Sequence, residues 1–339
     1  MANVGISYWG GMTATELVGC TKLADRRGLE SAWMAEGHGG DAFAILSACA
    51  LSTKKIRLGT SISSVFVRSA PTIALGAATV DSLSGGRFML GLGTSHQAQV
   101  EPEHGLVFEK PIARLQETME VVRGLLKNSK ISHRGKIFPQ IDFDYWFTPL
   151  RKRIPIYVSA VFPKMVEFCG RAADGTITVW HTAERSRESA EILRSSAKAA
   201  GRKPSDVDLA AMIPTCVSED SEAAIEGMKR LVAFYCGFFP RYNRLMSESG
   251  FPKEAEMIRS AWLNGKREES YDMVTEKMTK ALGIAGEPEE CPKRLKEYRR
   301  AGVGTPILYP TAVVSKRRGG RSAVGTVKEA CIVAIKAAS

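Results

Sequence analysis

Short β-branched or apolar runs alternate with longer stretches of helical period along most of the chain. Val4–Trp9 reads as a strand, and Thr13–Arg27 follows with Leu17, Cys20, Leu23 and Ala24 at helical spacing, Thr13 as N-cap and Gly28 as stop. The same unit recurs. Ser31–Ala35 precedes a helix capped by Asp41, and Ile56–Ser63 precedes one opened near Pro71 and closed by Ser84-Gly85-Gly86. Arg87–Gly93 pairs with a helix over Ile112–Leu126, Ile154–Ala160 with Pro163–Ala173, and Gly175–Trp180 with Glu184–Ala200. Val207–Val217 leads into a helix from Ser221. Thr305–Pro310 is the eighth strand, and the last helix lies within Val324–Ala337.

Eight strand–helix units predict an α/β fold, a closed (β/α)8 TIM barrel occupying residues 1–339 as one domain. Near-continuous apolar strands such as Ile56–Ile62 and Phe88–Leu92 suit parallel strands covered on both faces. The competing doubly wound sheet lacks its signature, because the first turn reads Trp9-Gly10-Gly11-Met12 rather than G-x-G-x-x-G. Two inserts interrupt the count, at about 128–152 and 235–285. The second, with Phe234 and Tyr235 at its start and Phe238, Phe239, Tyr242, Met246, Phe251 and Trp262 within it, predicts helices over the barrel mouth or a subunit contact.

Composition narrows the class. Of 339 residues, 44% are hydrophobic and 24% charged, which excludes a collagen-like, mucin-like or disordered chain. No run approaches the roughly 18 apolar residues of a membrane span. The start, Met1-Ala2-Asn3-Val4-Gly5-Ile6, lacks a secretory signal pattern, so the expectation is a cytoplasmic protein without a membrane partner. Seven cysteines without a C-x-x-C pair argue for reduced thiols rather than a disulfide or zinc framework.

The net charge of +11 is concentrated. Residues 123–153 carry eight basic side chains against Asp142 and Asp144, and residues 311–339 carry six against Glu329. Clustered charge favours an anionic partner, a phosphate- or carboxylate-rich coenzyme or a nucleic acid, although solvated basic faces would read the same way. No helix-turn-helix, zinc-finger or RNP pattern accompanies it, which ranks nucleic acid low.

In a barrel the chemistry sits on the loops after the strands. That rule selects Tyr8 to Gly11, Glu36 to Gly40, Ser61, Ile62, Ser63, Ser64 and Arg68, then Thr94 to Gln97 and Gln99. Ala160, Val161, Phe162, Trp180, His181, Pro214 and Thr215 complete the set. It holds few acids, no H-E-x-x-H metal pattern, no G-x-S-x-G nucleophile and no second carboxylate facing Glu36 for glycoside hydrolysis. Hydroxyls, amides, aromatic faces and glycine-flexed backbone suit a planar coenzyme that brings its own reactivity. Each residue has a plainer reading too: Glu36 as a helix-capping acid, His38 as a structural hydrogen bonder, Trp180 as a plug, Ser63 and Ser64 as strand-end residues.

Ile56-Arg57-Leu58-Gly59-Thr60-Ser61-Ile62, Val65-Phe66-Val67-Arg68 with Pro71, and Asp81-Ser82-Leu83-Ser84-Gly85-Gly86-Arg87-Phe88 resemble the bacterial luciferase-like superfamily. So do Leu90-Gly91-Leu92-Gly93-Thr94-Ser95, Phe108-Glu109-Lys110-Pro111, Ile154-Pro155-Ile156-Tyr157 and Ala172-Ala173-Asp174-Gly175. The likeness extends over nearly the whole chain and is strongest to the deazaflavin (coenzyme F420)-dependent branch, which includes methylenetetrahydromethanopterin reductase. It implies an insertion-bearing barrel, often a homodimer or higher homo-oligomer, with F420 at the mouth and a small-molecule substrate exchanging hydride with its ring.

The resemblance further implies a non-prolyl cis bond at Ser61–Ile62 against that ring, with Ser63 beyond it. Glu36 and His38 become the catalytic candidates. Thr94, Gln99, Ala160, Val161, Phe162, Val179 and Trp180 become the remaining cofactor-binding candidates. An FMN-dependent luciferase-like monooxygenase is the alternative, and a non-catalytic barrel binding flavin or nucleic acid through the basic tail Lys316-Arg317-Arg318-Gly319-Gly320-Arg321 is a third reading. Three departures from relatives bear on the substrate: Ser7 stands where the reductase carries Glu, Glu36-Gly37 where alcohol- and sugar-oxidising members have an acid–His pair, and Val161-Phe162 where some have two glycines.

Overall fold

The computed structural model describes residues 3–316 and 322–339; Arg317 to Arg321 of the basic tail lie outside the described residues. Eight parallel strands close on themselves: β1 (Gly5–Tyr8), β2 (Ser31–Met34), β3 (Arg57–Thr60), β4 (Phe88–Gly93), β5 (Ile156–Ser159), β6 (Gly175–Val179), β7 (Asp208–Val217) and β8 (Thr305–Pro310). Closure runs through β8, which pairs with β7 at Ala210↔Thr305 and with β1 at Gly5↔Ile307. The α/β barrel expectation holds, and the eight strand positions fall where the apolar runs put them.

Local chemistry sets the helices that cover the barrel. Thr13 caps Ala14–Arg26 in a reciprocal box with Glu16, Asp41 caps Ala42–Ser52, and Ser69 with Pro71 opens Ala70–Leu83. The core follows the period of two that strands impose. Trp33, Met89, Ile177, Met212 and Ile307 belong to the apolar cluster inside the barrel, while their chain neighbours Ala32, Leu90, Ala211 and Leu308 join the cluster under the helices. The inner cluster continues without a break into the second insert through Leu231, Cys236, Leu245 and Met246.

The S-G-G-R-F start of the motif S-G-G-R-F-x-L-G-L-G serves the closed, N-terminal end of the barrel, while Gly91 and Gly93 lie toward the open end beside Thr60 and Ile62. Arg87 fans its guanidinium over the carbonyls of Ala50, Thr53 and Ile56 at 2.6–3.1 Å, tying the end of one helix to the start of β3. Arg151 grips both oxygens of the fully buried Asp81 and the carbonyl of Phe88. Gly91 is there because β3 leaves no room: a Cβ would stand 1.8 Å from the Thr60 carbonyl oxygen. Much of the basic charge in 123–153 is likewise spent internally, Arg123 and Arg153 on Asp174, Arg134 on Asp142 and Arg151 on Asp81.

The region of the first insert folds as an antiparallel hairpin, Lys130–His133 with Ile141–Asp144. The second follows the long helix Ser221–Phe238 with helices Pro240–Glu248, Pro252–Leu263, Arg267–Asp272 and Glu276–Leu282, prolines opening the first two. Its last piece, Ile284–Gly286, adds to the outer end of β7 at Thr215↔Ile284. All seven cysteines are free and buried, and among the described residues no helix is long and apolar enough to cross a membrane.

Candidate active site

A cavity of about 460 Å³ opens at the C-terminal ends of the strands, walled by the strand-end loops on one side and by the second insert on the other. Of the catalytic and cofactor candidates, Glu36, His38, Ser61, Ile62, Thr94, Gln99, Ala160, Val161, Phe162 and Val179 line it, and Trp9, Gly10, Gly11, Gly37, Ser95 and His96 join them from the strand-end set. Ser63 and Trp180 stand one layer behind.

The floor is built on β1 and β3. The hydroxyls of Ser7 and Ser61 meet at 3.0 Å in the buried interior, and the peptide bond from Ser61 to Ile62 is cis. Glu36, at the end of β2, has both carboxylate oxygens committed. One accepts from Arg68 Nε, the other from Ser63 Oγ at 2.9 Å and from the Ser64 amide at 3.3 Å. Arg68 also holds Asp41, so the loops after β2 and β3 are stitched by a three-member ion network. Ser63 therefore acts on the cavity through Glu36. His38 is the opposite case: 80% exposed at the rim, with Nε2 at 3.1 Å from Glu103.

On the β5–β6 side, Phe162 takes the Arg244 guanidinium 4.7 Å over its ring. His181 is fully enclosed, bonded through Nε2 to the Val161 carbonyl at 3.1 Å. Burial drives its pKa down to about 4, against the raising pull of that carbonyl, and leaves a neutral ring that pins the β5 loop. Trp180 adopts a positive φ of 62°, which turns its indole inward under the Tyr235 ring at 4.9 Å. Its Nε1–H has no partner among the described residues.

The catalytic and cofactor candidates leave out several lining residues, although the strand-end rule selects His96 and the second insert's aromatics are expected over the mouth or at a subunit contact. Tyr235 and Tyr309 meet hydroxyl to hydroxyl at 2.6 Å, and burial raises both phenol pKa values, so the pair stays protonated and able to donate. His96 sits between Phe239 and Tyr242, ring centroids at 4.7 and 5.2 Å. Desolvation, with a smaller push from the charge of Arg241, lowers it to about 4. Phe234, Tyr235, Phe239, Arg241 and Tyr242 all come from the end of helix Ser221–Phe238 and the insert after it. The aromatic density there was the one available signal; which rings would face inward had no period to reveal it.

The sequence profile of the luciferase-like monooxygenase family matches residues 3–305. The chain belongs to that family. Among luciferase-like relatives, a 5,10-methylenetetrahydromethanopterin reductase of Methanolobus tindarius is 29% identical over 294 residues, covering 84% of this chain and 89% of the relative. An F420-dependent glucose-6-phosphate dehydrogenase of Amycolatopsis mediterranei is 26% identical over 312 residues, covering 87% and 88%. The solved coenzyme F420-dependent tetrahydromethanopterin reductase of Methanopyrus kandleri superposes with a TM-score of 0.81 at 26% identity, over 91% of this chain and 92% of that one. This luciferase-like barrel thus carries its cavity where the general rule for the fold places chemistry.

Proposed function

We propose that the protein is a coenzyme F420-dependent oxidoreductase, moving hydride between the deazaflavin ring and a small organic substrate. The observation that carries this reading is the lining itself. Among the described residues that line the cavity, Glu36 is the one carboxylate, and it is held by Arg68 and Ser63. With apolar walls, amides and protonated hydroxyls and no activated nucleophile, the chemistry has to arrive with a bound group. The F420-dependent relatives favour the deazaflavin over FMN.

The volume, within the usual range of about 300–1,000 Å³ for small-molecule sites, suits a flat ring with a small partner. Ser61, Ile62, Ala160, Val161, Phe162 and Val179 would hold the ring and its chain, with Thr94 and Gln99 supplying polar contacts. Ser63 and Trp180 would position that wall from behind, through Glu36 and Tyr235. When bound, the deazaflavin supplies a carbon centre that accepts or donates hydride. Glu36 orients the substrate's polar group, the Tyr235–Tyr309 pair offers a hydroxyl proton, and His38 exchanges protons with water at the rim.

The inserts at about 128–152 and 235–285 are read as elaborations of one barrel domain. A homodimer or higher homo-oligomer belongs to the same proposal, supported by exposed Leu51 and Ile112 on the outer helices, and sedimentation velocity reads it.

Parallel titrations with purified F420 and FMN test the function. Saturable F420 binding, at least about tenfold tighter than FMN, is expected. Tighter FMN binding with oxygen-dependent turnover would replace this reading by the monooxygenase one.

A further inference from the structure

Arg241 is the anomaly of the mouth. It occupies the first turn of helix Pro240–Glu248, which carries no acid there, and it lines the cavity beside Phe239 and Tyr242. Three other arginines of this end are neutralised. Arg68 holds Glu36 and Asp41, while Arg185 and Arg244 converge on Glu248. Arg241 alone of these has no carboxylate partner among the described residues. Arg241 is exposed at the rim of the cavity, so its guanidinium can reach an anion that enters with a ligand.

We propose that Arg241 makes the insert-side half of the cavity a receptor for an anionic substrate, a flat apolar body bearing a carboxylate or phosphate. The flat body is demanded by the walls: Phe239, Tyr242 and Tyr235 present ring faces and edges to the same space, with His96 tucked against the first two. The acid group is demanded by the guanidinium, whose planar fork matches a carboxylate or phosphate in two parallel bonds. Glu36 does not oppose it, since its charge is taken by Arg68 on other loops. This inference rests on the reading of the cavity as a joint coenzyme and substrate site. It adds the charge and shape of the second occupant.

Benzoate and benzamide, matched in shape and differing in charge, serve as probes in equilibrium titrations of the wild type, Arg241→Ala and Arg241→Lys, each with and without F420. Wild-type protein should bind benzoate at least about tenfold tighter than benzamide, with the preference weakening in salt. Arg241→Ala should erase the preference while keeping benzamide binding, which shows the cavity intact, and Arg241→Lys should retain part of it. Equal binding of the two probes to wild type overturns the proposal.

The other anionic candidate for the same cation is the coenzyme's own phosphate and glutamate tail. If Arg241→Ala weakens F420 at least tenfold but leaves the tail-free deazaflavin riboside unchanged, the guanidinium serves the coenzyme and the proposal also falls. A protein that bound benzoate selectively yet ignored F420 would sink the coenzyme reading and leave this one standing.

Discussion

The two ends of the barrel treat charge in opposite ways. At the closed end Asp81 is gripped by Arg151, Arg87 spends its guanidinium on three carbonyls, and Asp208 accepts from Thr305 and Tyr157. At the open end one arginine is left over, one histidine stands in solvent and another is held neutral against aromatic rings. Internally satisfied charge stabilises; charge left unmatched is available to a ligand. The family's most recognisable string therefore marks the fold, and the residues that would choose a substrate sit in the part of the chain with no such string.

The largest effect is expected at Gly91, on the β4 stretch that joins the two ends. Gly91→Ala drives a methyl into the rigid backbone carbonyl of Thr60, so β3 and β4 have to part. A loss of at least about 4 kcal/mol is expected, seen as insoluble protein or a collapsed denaturation midpoint. Next, Asp81→Asn leaves the half-buried Arg151 facing a neutral partner and should cost about 1.5–3 kcal/mol in urea unfolding. F420 affinity of the folded fraction should stay within about twofold, because the pair lies at the end remote from the cavity. A large affinity loss there would erase the distinction between the two ends.

Glu36→Gln should reverse that pattern. It keeps the shape and the Ser63 bond but releases Arg68, which still has Asp41. We expect about a 10- to 100-fold loss in kcat/KM, with stability changed by less than about 1 kcal/mol. Unchanged kcat/KM would reduce Glu36 to a structural tie between the loops after β2 and β3, since Asp41 is the acid that caps the helix there.

Much of this was legible in the chain. Thr13, Asp41 and Pro71 mark their helices because capping is local, and β-strand positions follow from apolar runs bounded by polar turns. The strand-end rule, with Val179 added by the family resemblance, places ten of the twelve catalytic and cofactor candidates on the cavity because the barrel fixes where each strand ends. Ser63 and Trp180 slip behind the wall for reasons of single side-chain geometry: one turns to meet Glu36, the other takes a left-handed backbone. Arg241, Tyr242 and His96 meet only through tertiary packing of an insert on a loop, a contact that no spacing encodes.

The histidines give a pH-dependent version of the comparison. His181 and His96 are held near 4 by burial, below their unfolded value of about 6.5. The native state thus binds fewer protons, so stability is fully present above about 6.5 and lost as pH falls toward 4. Each histidine contributes a slope of about 1.4 kcal/mol per pH unit within that window. Replacing His181 by Gln, which can still donate to the Val161 carbonyl, should flatten the wild-type profile between pH 6.5 and 4 by about one proton. An unchanged slope would mean that the ring is charged in the fold. The effect should survive with F420 bound, since His181 lies behind the wall, whereas an uncharged ligand that further desolvates His96 should extend that residue's window to lower pH.

His38 should show the smallest effect of all. Its ring is 80% exposed and its pairing with Glu103 is a surface contact, worth about 0–1 kcal/mol at most. His38→Asn should therefore leave the unfolding midpoint within about 0.5 kcal/mol. Its proposed task is proton exchange at the rim, and there bulk water can substitute, so kcat should fall only about threefold and recover with added imidazole. A loss beyond about 100-fold would make the imidazole indispensable and place the reacting proton at the rim, not at the Tyr235–Tyr309 pair. No loss at all would leave that pair as the one proton source on the lining, with the open end drawing on solvent only for substrate entry.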